Sequence, residues 1–374
     1  MRKISTSLPE VLFVLPLLEP SGAERIVAEL ASRLPEHGFA TSVLCLEDPG
    51  APVGAELTSA GIPVTGLHLS RRRTLACSTA IRKFLPGRRP LIIHAHLFHA
   101  NIAVRLAVAQ MKEALRKDLL VLSTVHVVER RFRPWQFALD RITARYACTE
   151  VCVSKAVAQF HQSKTGLPAQ FFYVIENGVD VTRFSPPAVK QPFSSRKIHV
   201  LAVGRLDPQK DYETLLKAWQ CVERAFPAAE LSIAGDGPDG RKLRECCIAL
   251  KLQRVHFMGF VKDVPTLMRA SDVFVQSSAW EGFGLTVVEA MACGLPVVVT
   301  DVDSLPEIIK HEKTGIVVAK GEPQILADAL LKLLRDSQRA RTLGLAARAD
   351  AVARFSVERM VAEYAGLYRK LLQG

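Results

Sequence analysis

The sequence predicts an α/β protein of two similar open domains, each a parallel sheet covered by helices on both faces, and three observations carry that expectation. Short aliphatic runs alternate with helical stretches along most of the chain, the βαβα signature of a parallel sheet covered by helices. The alternation pauses over Phe184–Lys197, where Pro186, Pro187, Pro192 and Ser194-Ser195 cluster, and then restarts, as at an interdomain linker. Aromatic residues make up 7% of a chain that is 49% hydrophobic, so its strands are runs of Val, Leu, Ile and Ala, as buried parallel strands are. The 374 residues are ample for two cores.

In order, Val11–Leu18 reads as the first buried strand. Met1-Arg2-Lys3 ahead of it faintly resembles a signal peptide, but Glu10 and Glu19 bracket the run, Pro16 lies inside it and no small-residue cleavage site follows. Ala23–Leu34 has apolar residues at helical spacing, Ala40–Leu46 is strand-like, and Leu91–His94, Leu119–Val125, Glu150–Val153 and Phe171–Ile175 continue the series. After the linker come strand Ile198–Val203, helix Tyr212–Ala225 and strand Glu230–Ala234, then strands Val255–Met258, Val273–Gln276, Val297–Thr300 and Ile316–Val318. The expected spans are a first domain over 1–184, a linker over 185–197 and a second domain over 198–356. Phe355–Leu372 places Met360, Val361, Tyr364, Leu367, Tyr368 and Leu371 on one helical face, suited to closing the second domain or capping the first. No run of about 18 apolar residues, the length of a membrane span, occurs.

The formal charge is +12 and the pI about 9.4. Residues 1–185 carry 23 Lys+Arg against 15 Asp+Glu, net +8, and residues 186–374 carry 26 against 22, net +4. The excess lies in Arg71-Arg72-Arg73, Arg82-Lys83, Arg88-Arg89, Lys112, Arg116, Lys117 and Arg130-Arg131 with Arg133. Such a field attracts nucleic acid, phosphorylated small molecules or an anionic membrane surface, and charge alone does not choose. A nucleic-acid binder also needs interleaved aromatics or a recognisable module, and neither is present. The eight cysteines include no C-x-x-C pair, which argues against a disulfide framework and for a reducing compartment.

The most informative stretch runs from Ser277 to Glu289 through Trp280-Glu281-Gly282-Phe283-Gly284-Leu285. Glycines ahead of a helix let backbone approach a ligand, and the first amides attract phosphate or hydroxyl oxygens. Glu281 in the loop and Glu289 in the helix are acceptors for sugar or ribose hydroxyls; a plain helix-capping loop is the alternative. Gly204-Arg205 and Lys210 lie in the first turn of the second domain, where a guanidinium fork and a point charge suit a diphosphate, against the alternative of two solvated surface charges. Gly235-Asp236-Gly237-Pro238-Asp239-Gly240 has G-x-G-x-x-G spacing. It follows a second strand rather than a first, so a tight turn outweighs a dinucleotide site. His94, His96 and His99 form H-A-H-L-F-H, with alternation placing His94 and His96 on one strand face. With His126 these residues admit a zinc reading, but no acidic residue stands near and structural or substrate-contacting roles are favoured. Ser21-Gly22-Ala23-Glu24-Arg25 opens a helix after the first strand, a second anion-friendly N-terminus.

Together these residues resemble the retaining glycosyltransferases of family four, the group 1 glycosyltransferases. The matching pieces are Gly22-Ala23-Glu24-Arg25, His94-Ala95-His96, Thr124-Val125-His126, Val153-Ser154-Lys155, Asn177-Gly178-Val179-Asp180 before Phe184, Gly204-Arg205 with Lys210, Gly235-Asp236-Gly237-Pro238, Glu281 with Glu289, Gly294-Leu295-Pro296-Val297-Val298 and Pro306-Glu307-Ile308. The resemblance implies the GT-B fold, two Rossmann-like, doubly wound domains facing a cleft, with the terminal helix 357–374 crossing back to the first domain. It implies that Arg205 and Lys210 neutralise a nucleotide diphosphate and that Glu289 holds ribose hydroxyls. It implies further that Glu281 with the backbone of Gly282, Phe283, Gly284 and Leu285 holds donor-sugar hydroxyls and phosphate, that His126 contacts the sugar near the reacting carbon, and that Gly22 and Gly204 let backbone approach the donor. Three departures stand out: Ser21 where a second Gly is common, Asp211 after Lys210 where Gly is frequent, and Asp301-Val302-Asp303-Ser304 in place of Asp-Val-Gly-Gly.

The resemblance implies transfer of a sugar from a nucleotide diphosphate sugar with retained configuration, with no cofactor and no bound metal, the cationic side chains collecting the leaving-group charge. The expected acceptor is a glycan or lipid-linked intermediate of lipopolysaccharide, capsule or exopolysaccharide assembly, because the basic first domain suits an anionic or membrane-located partner. A small soluble acceptor is the alternative, and an NAD-dependent oxidoreductase or a nucleic-acid binder lie further off. The expected location is cytoplasmic, peripheral on the inner face of the membrane.

Overall fold

In the computed structural model of the chain, residues 8–50, 52–85, 90–188 and 197–373 are described. Met1-Arg2-Lys3, Arg88-Arg89 and the Pro192–Ser195 part of the linker lie outside them. The chain forms two units, one up to Asn177 together with the residues from Glu358 on, the other Gly178–Val357.

Unit 1 holds seven parallel strands: β1 Glu10–Leu15, β2 Ala40–Cys45, β3 Val64–Gly66, β4 Pro90–His96, β5 Leu120–Val125, β6 Thr149–Cys152 and β7 Phe172–Val174, in the order β3-β2-β1-β4-β5-β6-β7. In the centre of the sheet, Val11 to Leu15 are fully buried, since helices cover both faces of such a sheet. The expected first strand stops at Leu15, just before Pro16, which has no amide to add to the ladder. The short edge strand β3 has no counterpart in the sequence reading, because three half-buried residues carry too little pattern.

Unit 2 repeats the plan with β8 Ile198–Val203, β9 Ala229–Ala234, β10 Val255–Gly259, β11 Val273–Gln276, β12 Val297–Thr300 and β13 Ile316–Val318, in the order β10-β9-β8-β11-β12-β13. Its core includes Trp219, Leu215, Leu216 and Val222 of helix Tyr212–Ala225, packed with Leu330 and Leu334 of helix Pro323–Arg335. The unit begins ahead of the expected linker. Residues 178–184 join it because their backbone pairs with the chain's return: Val179 N–H donates to Phe355 O and Val357 N–H to Val179 O, each at 2.9 Å. Arg348 also donates to Val181 O and Phe184 O.

The terminal helix spans Val357–Gln373 and from Glu358 on belongs to unit 1. The predicted face is buried: Met360, Tyr364 and Tyr368 have no exposed surface. Tyr368 Oη lies 2.7 Å from His94 Nδ1 on β4, its ring meets Phe39 edge-on, and Arg359 donates to Glu176 O at 2.6 Å. Two buried aromatics give this helix its hold, since each removes a large apolar area from water.

Candidate functional site

In unit 2 the strand order reverses between β8 and β11, so their following loops diverge and leave a crevice at the strands' carboxyl ends, where open α/β sheets bind ligands. Those loops are the two the sequence singles out, 204–211 and 277–284. They are knitted together: Ala279 N–H donates to Gln209 O at 2.8 Å, and Ser277 Oγ to Lys210 O at 2.8 Å. Arg205 is exposed, and its guanidinium has no partner among the described residues. Gly204 packs against the Lys210 stem and Tyr212 Oη, which donates to Gly204 O at 3.2 Å.

Lys210 and Glu281, expected to serve different parts of a donor, meet each other. Lys210 Nζ lies 2.6 Å from Glu281 Oε2. The same oxygen accepts from Gln276 Nε2 at 2.9 Å and Ser278 Oγ at 3.2 Å, while Oε1 accepts from Gln209 Nε2 at 3.4 Å. Glu281 is only 7% exposed, so these donors replace the water a buried carboxylate loses. The carboxylate thereby ties three segments into one frame.

Gly284 ends the loop as the N-cap of helix Leu285–Ala292, with φ +95°. A Cβ there would lie 2.7 Å from Leu305 Cδ2 and occupy a backbone region hostile to side chains. Val287 and Val288 N–H donate to Gly284 O, and the amides of Leu285 and Thr286 are left without a partner among the described residues, which makes them donors for an anion or a hydroxyl oxygen. Gly282 and Phe283 are buried, Leu285 and Glu289 half-buried, and Glu289 sits one turn into the helix.

Two of the departures find a structural reason. Asp211 has φ +45° and caps helix Tyr212–Ala225, its carboxylate accepting from Thr214 Oγ1 at 2.7 Å. Asp tolerates the left-handed region better than most residues, so the cap offsets what Gly would save. Asp303, with φ +41°, accepts the Glu281 backbone N–H at 3.0 Å, and Ser304 Oγ donates to Phe283 O at 3.0 Å. This brace takes up Asp303, while Asp301 stays exposed.

The G-x-G-x-x-G segment is a loop pressed onto the 204–206 turn. Leu206 N–H donates to Asp236 O and Gly204 N–H to Ala234 O, each at 3.0 Å, and a Cβ at Gly235 would fall 2.0 Å from Gly204 O. Close backbone approach accounts for that glycine.

In unit 1, Gly22 begins helix Gly22–Arg33 and is exposed; the Ser21 hydroxyl donates to the Glu24 carboxylate rather than capping an amide. Burial pushes the Glu24 carboxyl up. His94, His96 and His126 form one cluster. His94 is buried with both nitrogens engaged, Nδ1 by Tyr368 Oη and Nε2 by Thr124 Oγ1, each at 2.7 Å. His96 Nδ1 lies 2.9 Å from His126 Nε2. Burial lowers His126 to about 4 and His94 to about 3, and holds His96 well below the usual imidazole range. All three are neutral at pH 7, and with both nitrogens taken His94 has none for a metal. His99 is half-buried, its pKa lowered by burial and then by Arg71.

Among the described residues, one further group has metal-ligand spacing: Asp140, Glu150 and His161. Arg105 already fills it. Its guanidinium pairs with Asp140 Oδ1 and, at 3.2 Å, with Glu150 Oε2, while His161 bridges the two carboxylates at 3.0 Å on each side. Burial opposes a charge on His161, yet Glu150 and Asp140 raise it to about 10. Two cations face two anions, and nothing in the sequence spacing of these four residues announced it.

The structure thus unites Gly204, Arg205, Lys210, Glu281 and the 282–285 backbone at one end of the unit 2 sheet, and places His126 and Gly22 at strand ends of unit 1. Sequence reasoning missed Gln276, Ser278 and Asp303 as the setting of Glu281. Asp303 left a signal, since an acidic residue stood at a usual glycine position.

Comparison with known proteins agrees with this architecture. Residues 188–350 match the family described as "Glycosyl transferases group 1", and residues 20–183 match "Glycosyltransferase Family 4". A phosphatidyl-myo-inositol mannosyltransferase of Mycobacterium leprae (strain TN) is 29% identical over 348 residues, 90% of this chain and 89% of that protein. An Escherichia coli UDP-Gal:alpha-D-GlcNAc-diphosphoundecaprenol alpha-1,3-galactosyltransferase is 25% identical over 354 residues, 86% of this chain and 87% of its own. Among solved structures, Anabaena Alr3699/HepE in complex with UDP-glucose superimposes with a TM-score of 0.83 at 24% identity, covering 96% of this chain and 99% of that one. With paired parallel-sheet units, both family models and relatives aligned along most of their length, the chain belongs to the group 1, family four glycosyltransferases and has the GT-B fold.

Proposed function

We propose that this glycosyltransferase moves a hexose from a nucleotide diphosphate sugar to a hydroxyl of a glycan or lipid-linked acceptor, with retained configuration and without a bound metal or cofactor. The observation that carries the reading is Arg205, unpartnered among the described residues, in the same loop as Lys210 of the Lys210–Glu281 pair at the unit 2 switch point. A guanidinium without a partner among the described residues and an ammonium in the same loop suit a diphosphate, and such groups stabilise charge as it develops on the leaving group. By the family resemblance Glu281 and the 282–285 backbone take the sugar, Glu289 the ribose, His126 the sugar near the reacting carbon and Gly22 the diphosphate. The relatives named for phosphatidylinositol and diphosphoundecaprenol acceptors favour a lipid-linked acceptor over a soluble one. The basic excess of the first half, with Arg72 and Arg73 exposed, favours attachment to an anionic membrane face. The test is transfer from a panel of nucleotide sugars in EDTA, with product anomers assigned by NMR. An inverted anomer would overturn retention, and an absolute need for added divalent ion would overturn the metal-free reading.

A further inference from the structure

His96 is fully buried on β4. Its ring lies 4.1 Å from that of His94 and 5.8 Å from Phe13. Of its two nitrogens, Nδ1 meets His126 Nε2 at 2.9 Å, and Nε2 is buried with no hydrogen-bond partner among the described residues. His126 is half-buried, and its Nδ1 makes no hydrogen bond to a described residue.

Both rings are neutral, so each carries one proton, and the short N···N contact uses one of them. Two arrangements satisfy that contact. If His126 Nε2–H is the donor, the His96 proton sits on Nε2, a buried N–H facing rings. If His96 Nδ1–H is the donor, the buried Nε2 is a bare acceptor. Orphaned buried N–H groups are rarer than under-satisfied acceptors, which favours the second arrangement.

We infer that His96 is a positioning residue: it donates Nδ1–H to His126 Nε2 and so fixes His126 as the Nδ1–H tautomer. The proton left on His126 is then the one uncommitted polar group of its ring among the described residues. It suits an oxygen lone pair, such as a donor-sugar hydroxyl, and no proton transfer is involved. His94 supports this by using both of its nitrogens elsewhere, which leaves His96 free for His126. The assignment goes beyond the proposed function but rests on it for the ligand alone; the tautomer belongs to the folded chain.

The test is long-range 1H–15N correlation on histidine-labelled full-length protein at pH 7, with His126→Gln identifying the His126 signals. Protonated Nδ1 and bare Nε2 on His126 are expected; the reverse pattern overturns the inference. His96→Asn keeps a donor near the Nδ1 position and should preserve the pattern, while His96→Leu should lose it. In transfer assays His96→Leu should lower kcat roughly tenfold to a hundredfold, as loss of an orienting partner does, and His96→Asn should recover most of it. If His96→Leu does not fold, the wild-type and His96→Asn spectra decide. Failure to find any sugar donor would sink the proposed function and leave the spectra to judge the tautomer.

Discussion

Lys210 Nζ stands 2.6 Å from Glu281 Oε2, joining the first loop of unit 2 to the loop after β11. The two side chains are 15% and 9% exposed. Removing one partner of a largely buried pair strands the other charge, at about 3–5 kcal/mol. Lys210→Ala should therefore lower both stability and transfer. Adding Glu281→Gln to Lys210→Ala should restore part of the stability and none of the activity. A double-mutant cycle by denaturant titration measures the coupling; additive effects would show the pair to be energetically silent.

Arg205 should behave in the opposite way. It is exposed and unpartnered among the described residues, so Arg205→Ala should change stability by no more than about 0.5 kcal/mol. The same change should cost about 2–4 kcal/mol of transition-state stabilisation, the range for one preorganised group. Steady-state kcat/KM beside a melting curve separates the effects, and wild-type turnover would remove Arg205 from the site.

The buried histidines set opposing pH dependences. His161 is raised to about 10 from 6.5, so the folded state binds more protons between those values; its contribution is full below about 6.5 and fades as pH rises towards 10. His94 and His126 are lowered to about 3 and about 4. There the unfolded state binds more protons, so stability falls as pH drops below about 6.5 towards those values. Unfolding free energy should decline on both sides of near-neutral pH, and His161→Gln should flatten the alkaline side. An unchanged alkaline slope in that variant would reject the charged His161.

Tyr368→Phe keeps the buried ring and removes the hydroxyl 2.7 Å from His94 Nδ1. One buried imidazole nitrogen left unmatched costs about 1–3 kcal/mol. Urea unfolding should show that loss, with the near-ultraviolet signal of the native state retained. A change within error would mean that His94 finds another partner.

Attachment to an anionic surface should depend on Arg72 and Arg73, which are exposed, more than on Arg71, which contacts Glu47 through both its backbone amide and its side chain. Each basic residue near such a surface is worth about 1 kcal/mol, screened over about 8 Å at physiological salt. Sedimentation should show binding to anionic vesicles, little to neutral ones, and release by salt. Arg72→Ser/Arg73→Ser should weaken it, and indifference to lipid charge would favour a soluble acceptor.

The sequence by itself determined the strands of the two sheets, the short edge strand β3 excepted, and the two glycine-containing loops of unit 2. Parallel strands buried on both faces must be aliphatic along their length, so Val11 to Leu15 and Val297 to Thr300 are legible from composition. The 204–211 and 277–289 motifs are legible because glycine spacing and helix starts are local properties. The terminal helix showed its buried face in its periodicity but not what covers it; Tyr368 meets His94 across 274 positions of sequence. Only the tertiary structure decided that Glu281 is held by Lys210 and Asp303, that His96 rather than His94 meets His126, and that Arg105, Asp140, Glu150 and His161 cancel one another's charge. These are pairings of polar groups far apart in the chain. Periodicity records which face of an element is buried, whereas a hydrogen bond depends on where two elements bring single atoms, and that is set by packing.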